Sequence, residues 1–223
     1  MFNSSPDHPV SFGYKCQWYA IRTTDTAAVA AFFNLKEPQP VNWETGMAGA
    51  FQGYYFISPP VKGWTLAVNS LMPDVSAAGE DNPLETVKRL SSRYGEACYF
   101  GTHRVVEYHA WAKAVNGELI RAYSYAGESD EVLIDEGEPT AEEVDSGLIF
   151  AGYDDYEDND AGDEDGADID FGEEDYEELP VPGEDDVISM AELWTLSPFL
   201  EDEEYEPGAG IAGRVARKEI SRS

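Results

Sequence analysis

Two histidines and a glutamate near the middle of this chain have the residue types and the spacing for acid–base chemistry. His103, Glu107 and His109 share sequence parity, so an uninterrupted strand through them would place all three on one face of a sheet. Same-face neighbours on a strand are about 6.6–7 Å apart, which separates the two histidines by about 20 Å and prevents them from sharing a metal ion. Glu107 and His109 stay close enough for an ion pair or an acid–base couple. A structural pair on a sheet is the favoured interpretation.

Three other motifs give no catalytic or metal site. Cys98 and His103 have opposite parity, which argues against a thiol nucleophile with a histidine base. Residues 208–213 (GAGIAG) match the dinucleotide fingerprint, but no strand precedes them and only ten residues follow, so no βαβ unit can form. Setting Gly166 or Gly162 at the obligatory glycine of a calcium loop leaves non-acidic residues at ligand positions. We therefore expect no cofactor and no metal site.

A capped helix opens the stretch that carries these histidines. Asn82 is placed to cap its N-terminus, Pro83 suits the first helical position, and Glu85 falls where a capping-box acid reaches back. Gly95 is a natural residue to follow the last turn. The pattern therefore predicts a helix of about three turns.

A hairpin turning at Asn116-Gly117 is predicted after that helix. Both turn residues tolerate positive φ, and strand-like runs over residues 105–115 and 118–125 flank them. A regular two-residue turn sets three cross-strand pairs, which are Val115 with Glu118, Trp111 with Ala122, and His109 with Ser124.

The rest of the first half predicts further strands and one more helix. Residues 17–23 read as a strand and residues 26–33 as a helix, while residues 54–58 and 64–69 read as paired strands. Residues 41–53 are expected to be irregular. The predicted fold is therefore an α+β core domain over residues 14–150, a largely antiparallel sheet with helices packed on one face.

Charge divides the chain into two unlike halves. Residues 1–121 carry 11 acidic and 10 basic side chains, whereas residues 122–213 carry 33 acidic side chains and no lysine or arginine. We interpret residues 151–185 as a long acidic, disordered and flexible insertion, because like charges repel while little apolar surface is offered. The remaining segments are predicted to be a C-terminal helix packing on the core (186–200) and a loose tail (201–223). In that helix Val187, Met190, Ala191 and Trp194 share one face.

The net charge of −31 limits the partners of this chain. An acidic field repels nucleic acid and anionic membranes and favours a basic protein partner. No apolar run approaches the roughly 18–20 residues that span a bilayer, and the first residues lack a signal-peptide core. Cys16 and Cys98 lie in apolar strand-like contexts that favour reduced, buried thiols. These observations predict a cytoplasmic protein.

Acidic and aromatic residues alternate within the insertion, as in segments that dock on a basic, partly apolar surface. A solvating insertion is the plain alternative, and mimicry of nucleic acid fits poorly because the acids lie in a glycine-rich segment. The candidate partner-binding residues are Asp154, Asp155, Tyr156, Asp158, Phe171, Glu173, Glu174, Asp175 and Tyr176.

A family resemblance rests on NW at 42–43, SPPVKGW at 58–64 and YFGTHRVVEYHAWAKAVNGELIRAY at 99–123. On these segments the chain looks like a group of uncharacterised bacterial acidic α+β proteins, which resemble the immunity proteins encoded beside secreted antibacterial toxins. The resemblance covers residues 15–150 and 184–200, and the acidic insertion lies outside it. It implies a bacterial immunity protein, not an enzyme, that binds a cognate toxin and occludes its active site.

Two other functions stay open at this stage. One is an enzyme that uses the sheet face of His103, Glu107 and His109. The other is an acidic regulatory or scaffold module with no inhibitory role.

Overall fold

The computed structural model describes residues 2–150, 180–201 and 204–215. Within them the chain forms an α+β fold around one nine-stranded antiparallel sheet, which confirms the predicted fold class. The acidic run at 151–179 lies outside the described residues. No helix in the described part of the chain is both long enough and apolar enough to span a membrane.

The strands are β1 (Gln17–Ile21), β2 (Leu35–Asn42), β3 (Tyr55–Ile57), β4 (Thr65–Asn69), β5 (Glu96–His103), β6 (Tyr108–Val115), β7 (Glu118–Ala126), β8 (Glu131–Glu136) and β9 (Ala209–Val215). The helices are α1 (Thr26–Phe32), α2 (Trp43–Ala50), α3 (Pro83–Tyr94), α4 (Ala141–Ser146) and α5 (Glu184–Trp194). The strand order is β2-β9-β3-β4-β1-β5-β6-β7-β8, and every neighbouring pair is antiparallel.

Helices cover both faces of this sheet, whereas the sequence predicted them on one face. Trp18 and Ala20 of β1 point into a cluster with α2 and α5, while Tyr19 and Ile21 point into a second cluster with α1 and α3. All five residues of β1 are buried. A strand covered on both sides reads as a continuous apolar run, so it carries no alternation that could reveal a second layer.

Strand β2 and helix α2 were not predicted, and α2 lies where the sequence predicted irregular chain over residues 41–53. Strand β2 contains Pro38 and Pro40, which an edge strand tolerates because its outer side needs no hydrogen-bonded partner. Helix α2 begins directly after it. Asn42 caps that helix by accepting from the Thr45 amide, and Asp7 accepts from the Trp43 amide at 2.6 Å.

Residues 209–215 form strand β9, so the prediction of a loose tail over 201–223 is wrong for this segment. Strand β9 lies inside the sheet and pairs with β2 on one side and β3 on the other. Its glycines permit that insertion. A Cβ at Gly210 would overlap the carbonyl oxygen of Ile57, and one at Gly213 would lie 2.9 Å from the Cβ of Leu35. The GAGIAG motif is therefore a close-packed strand.

Helix α3 begins and ends as predicted. The Asn82 side chain accepts from the Leu84 amide, and Gly95 follows the last turn at φ 90°. Glu85 differs from the prediction because it pairs with Lys88 at 2.5 Å. The Asn82 amide that a capping box would use already donates to the carbonyl of Gly79.

The hairpin of β6 and β7 turns at Asn116-Gly117, with Val115 opposite Glu118 as predicted. Beyond the turn the predicted register is wrong by one residue, because Ile120 of β7 is an extra residue in a bulge. Leu119 before it pairs with Ala114, and Arg121 after it pairs with Lys113. The two remaining predicted pairs are replaced by Trp111 with Tyr123 and His109 with Tyr125. The bulge thereby stacks the Trp111 and Tyr123 rings at 5.0 Å.

Helix α5 packs on β5 and β6 through the face that the spacing predicts. Val187, Met190, Ala191 and Trp194 are all buried there. Phe150 is the last described residue before the acidic run, and its ring packs on that of Trp111 with centroids 5.8 Å apart. The described flanks of the acidic run thus rest on the same layer of the fold.

Candidate functional site

The turn between β5 and β6 changes the arrangement of the two central histidines. Strand β5 ends at His103 and β6 begins at Tyr108, so no single strand runs through His103, Glu107 and His109. The register sets His103 opposite Tyr108 and Thr102 opposite His109. Directly paired residues point to the same side, so the two histidines lie on opposite faces of the sheet. The predicted common face is therefore wrong, and a site using both histidines is excluded.

His109 lines an open pocket of about 850 Å³ on the α5 side of the sheet. The turn residues Arg104 and Glu107 form one wall, and the first turn of α5 forms another. The complete lining is Tyr14, Arg104, Glu107, His109, Tyr125, Val181, Pro182, Gly183, Glu184, Asp185 and Asp186. We call this the acidic pocket.

Side-chain contacts across the acidic pocket fix the N-terminus of α5. Arg104 donates through Nε to Glu184 Oε2 at 2.7 Å. The Tyr14 hydroxyl donates to Asp185 Oδ1 at 2.7 Å, and the Gly183 amide donates to Asp186 Oδ2 at the same distance. Acidic residues in a first turn also match the positive end of the helix dipole. These three carboxylates therefore hold a defined geometry.

His109 has a buried ring nitrogen without a hydrogen-bond partner beside this pocket. Its side chain is only 6% exposed, and its Nδ1 atom has no partner among the described residues. Burial lowers the pKa of His109 below its ordinary value of 6.5, against the opposing attraction of Glu184, Glu107 and Asp186. The ring is therefore neutral at neutral pH, and one ring nitrogen is then a hydrogen-bond acceptor.

Glu107 is held in an unusual backbone conformation beside that histidine. Its φ is 48°, in the left-handed region that non-glycine residues rarely adopt. Its side chain lies against Gly127, where an added Cβ would overlap the carboxylate. Seven other non-glycine residues of the described chain also have a positive φ, so this conformation marks the turn between β5 and β6 and is not by itself evidence of a site.

The acidic pocket offers carboxylates but no preformed metal cluster among the described residues. No group of three or more histidine, cysteine or acidic side chains is placed to hold a metal within residues 2–150, 180–201 and 204–215. The carboxylates that line the pocket are acceptors, which match the N–H groups of a lysine or arginine side chain.

Both cysteines are free and buried, as expected. Burial raises the pKa of the Cys16 thiol to about 12 and also raises that of Cys98. Since the thiolate is the nucleophile, neither group is activated. Cys98 also points away from the face of His103, because the two lie on β5 at opposite parity.

The nine predicted partner-binding residues lie outside the described part of the chain. They are Asp154, Asp155, Tyr156, Asp158, Phe171, Glu173, Glu174, Asp175 and Tyr176. The acidic pocket begins two residues after that run, at Val181. Comparisons with family models, with curated proteins and with solved structures found no match for this chain. Its function must therefore be inferred from its own residues and contacts.

Sequence patterns did not reveal several residues of the acidic pocket. Tyr14 is the first residue of the predicted core domain, and Arg104 directly precedes the run predicted as strand from residue 105, but no pattern marked either residue as part of a site. The acidic residues at the start of α5 could be identified in the sequence, but nothing in the sequence indicates that this end of the helix lies beside His109.

Proposed function

We propose that this protein is an immunity protein that binds a basic surface of a cognate antibacterial toxin and occludes its active site. The observation that carries the proposal is the acidic pocket, which offers the exposed carboxylate of Glu107 as an acceptor and includes residues that follow the acidic run closely in sequence. In this arrangement the acidic run attracts a basic partner over a distance. The pocket then receives one lysine or arginine side chain of that partner.

Charge magnitude supports the attraction. The acidic run at 151–179 contains 15 acidic side chains and no basic one. Complementary charge raises association rates well above those of neutral encounters and makes them sensitive to salt. A toxin that acts on phosphorylated substrates presents a basic cleft, which is the surface such a segment recognises.

The pocket supplies the specificity that a charged segment lacks. A desolvated charge pair with good geometry contributes on the order of 1.5–7 kcal/mol at tight interfaces. Arg104 already neutralises Glu184, and Tyr14 already engages Asp185. An incoming cation therefore finds Glu107 as the acceptor that the pocket leaves open to it.

Co-expression tests the proposal. Each open reading frame that flanks the gene is expressed alone and together with this chain, and growth is measured. One neighbour should stop growth, and the full chain should restore it. A variant lacking residues 154–178, and one of unchanged length with the acids of 154–178 replaced by Asn and Gln, should protect at least tenfold less.

A matched pair of single variants separates the pocket from net charge. Glu107→Gln and Glu131→Gln remove the same charge from an exposed position, but Glu131 lies on the edge strand β8 and does not line the acidic pocket. Only Glu107→Gln should weaken protection. If no neighbour is toxic, or if both segment variants protect fully while melting like the full chain, the proposal is wrong. If Glu107→Gln and Glu131→Gln weaken protection equally, net charge alone accounts for protection and the acidic pocket has no specific role.

A further inference from the structure

A second cavity, of about 700 Å³, lies on the opposite face of the sheet from the acidic pocket. Helix α1 packs over the β2, β9, β3 and β4 side of this face, and α3 packs over β1, β5, β6 and β7. The cavity lies between the two helices. Its lining is Tyr19, Phe32, Phe33, Asn34, Gly53, Tyr55, Asn69, Leu71, Pro73, Glu80, Asp81, Thr86, Arg89, Arg214 and Val215. We call it the aromatic cavity.

Four aromatic side chains form one connected wall of this cavity. Phe33 stacks on Tyr55 with centroids 4.9 Å apart, contacts Tyr19 at 5.7 Å and meets Phe32 edge-on at 5.2 Å. Burial raises the pKa of both Tyr19 and Tyr55, so their hydroxyls stay protonated. Tyr19 is almost completely buried, so the accessible part of the wall consists mainly of the half-buried rings of Phe32, Phe33 and Tyr55. Apolar and aromatic surface of this kind is typical of small-molecule sites.

Two arginines reach the same cavity without an acidic partner. Arg89 lies over the ring of Phe32, and Arg214 lies over the ring of Tyr54. Their hydrogen bonds go to backbone carbonyls, at 3.4 Å to Glu80 and 3.3 Å to Gln52. Within the described residues neither guanidinium forms an ion pair.

The arginines come from elements far apart in sequence. Arg89 projects from α3, and Arg214 projects from β9. Asp81 also lines the cavity, so its lining offers an acceptor as well as cationic donors. Planar guanidinium groups bind carboxylate and phosphate through paired hydrogen bonds.

We infer that the aromatic cavity binds a small planar aromatic molecule that carries one anionic group and at least one N–H donor. The ring lies against the wall formed by Phe33 and Tyr55, the anion contacts Arg89 and Arg214, and the donor faces Asp81. A volume of 700 Å³ lies within the range of about 300–1,000 Å³ typical of ligand sites. Two natural sources share this chemistry, aromatic amino acids and purine nucleoside monophosphates.

Two ligand pairs separate these sources and test the need for an anion. Titration calorimetry with the full chain uses L-tryptophan against tryptamine, which lacks the carboxylate, and adenosine 5′-monophosphate against adenosine, which lacks the phosphate. One of the anionic ligands should bind with a dissociation constant below about 1 mM, and its anion-free analogue should bind at least tenfold more weakly. The ligand that binds identifies the source.

Arginine variants test where the ligand binds. Arg89→Gln and Arg214→Gln should each weaken binding of the better ligand about tenfold. Arg93→Gln is the matched control, because Arg93 is exposed on the same helix α3 but does not line the cavity. It should change affinity less than twofold. Thermal melting of all three variants verifies that they fold.

Three results would overturn the inference. They are binding of neither anionic ligand below about 1 mM, equal binding of the anion-free analogues, and an Arg93→Gln effect as large as that of Arg89→Gln. None of these results affects the acidic pocket, which lies on the other side of the sheet.

Discussion

Replacing Glu143 with alanine should cause a large loss of stability, because this carboxylate is fully buried and serves three donors. It accepts from Trp111 Nε1 at 3.0 Å, from Arg121 Nε at 3.1 Å and from the Thr140 amide at 2.7 Å. These contacts tie helix α4 to β6 and β7, next to the point where the acidic run leaves the fold. Arg121 itself is only 4% exposed.

The expected cost follows from what each donor loses. Removing one member of a buried ion pair costs about 3–5 kcal/mol, since the other charge remains buried. Asp135 still pairs with Arg121 in the variant and keeps the cost towards the lower end. The indole N–H of Trp111 loses its partner as well, which adds on the order of 1 kcal/mol. We therefore expect a loss of about 3–4 kcal/mol in the free energy of unfolding.

Urea unfolding followed by tryptophan fluorescence measures this quantity. At about 2–4 °C per kcal/mol for a chain of this size, the midpoint of thermal unfolding should fall by roughly 6–16 °C. Asp145→Ala is the control, because Asp145 is an exposed acid on the same helix, and it should change stability by less than about 0.5 kcal/mol. A Glu143→Ala loss below about 1 kcal/mol would refute the buried network.

Three further perturbations have defined outcomes. Gly210→Ala should prevent close packing of β9 on the carbonyl of Ile57 and lower the melting temperature by several degrees, whereas Gly183→Ala, whose new Cβ would meet only a side-chain oxygen at 3.6 Å, should not. Gly95→Ala should cost about 1 kcal/mol in denaturant unfolding because its φ is 90°. Burial lowers the pKa of His109 in the folded chain. As the pH falls through about 6.5, the unfolded chain therefore binds a proton before the folded chain does, and the free energy of unfolding decreases. Urea titrations at pH 7.5 and 5.5 should show a smaller decline for His109→Gln than for the natural chain, and equal declines would contradict the burial of a neutral ring.

Local chemistry explains why some elements could be predicted from the sequence. Asn82 and Gly95 set the ends of α3 through contacts with their immediate neighbours, and Asn116-Gly117 sets its hairpin turn in the same way. The face of α5 followed from the spacing of its apolar residues. Each of these signals lies within a few residues of the feature that it predicts.

The incorrect predictions depended on contacts between distant residues. Ile120 forms a bulge that no turn signal announces, and it shifts the partners of Trp111 and His109 by one position. Residues 209–215 form strand β9 because they pair with β2 on one side and with β3 on the other, although their own sequence is rich in glycine. The aromatic cavity likewise combines Arg89 and Arg214, which are 125 positions apart in the chain.

The position of β9 also determines the order in which this sheet can close. Strands β2 and β3 have no direct pairing with each other, so the sheet stays split there until residues 209–215 insert between them. A ribosome must therefore finish almost the whole described chain before the sheet becomes continuous. Cleavage within residues 151–179 would leave two fragments that need each other, because the second supplies both α5 and the missing strand. The two pieces, expressed separately, should reassemble into one sheet.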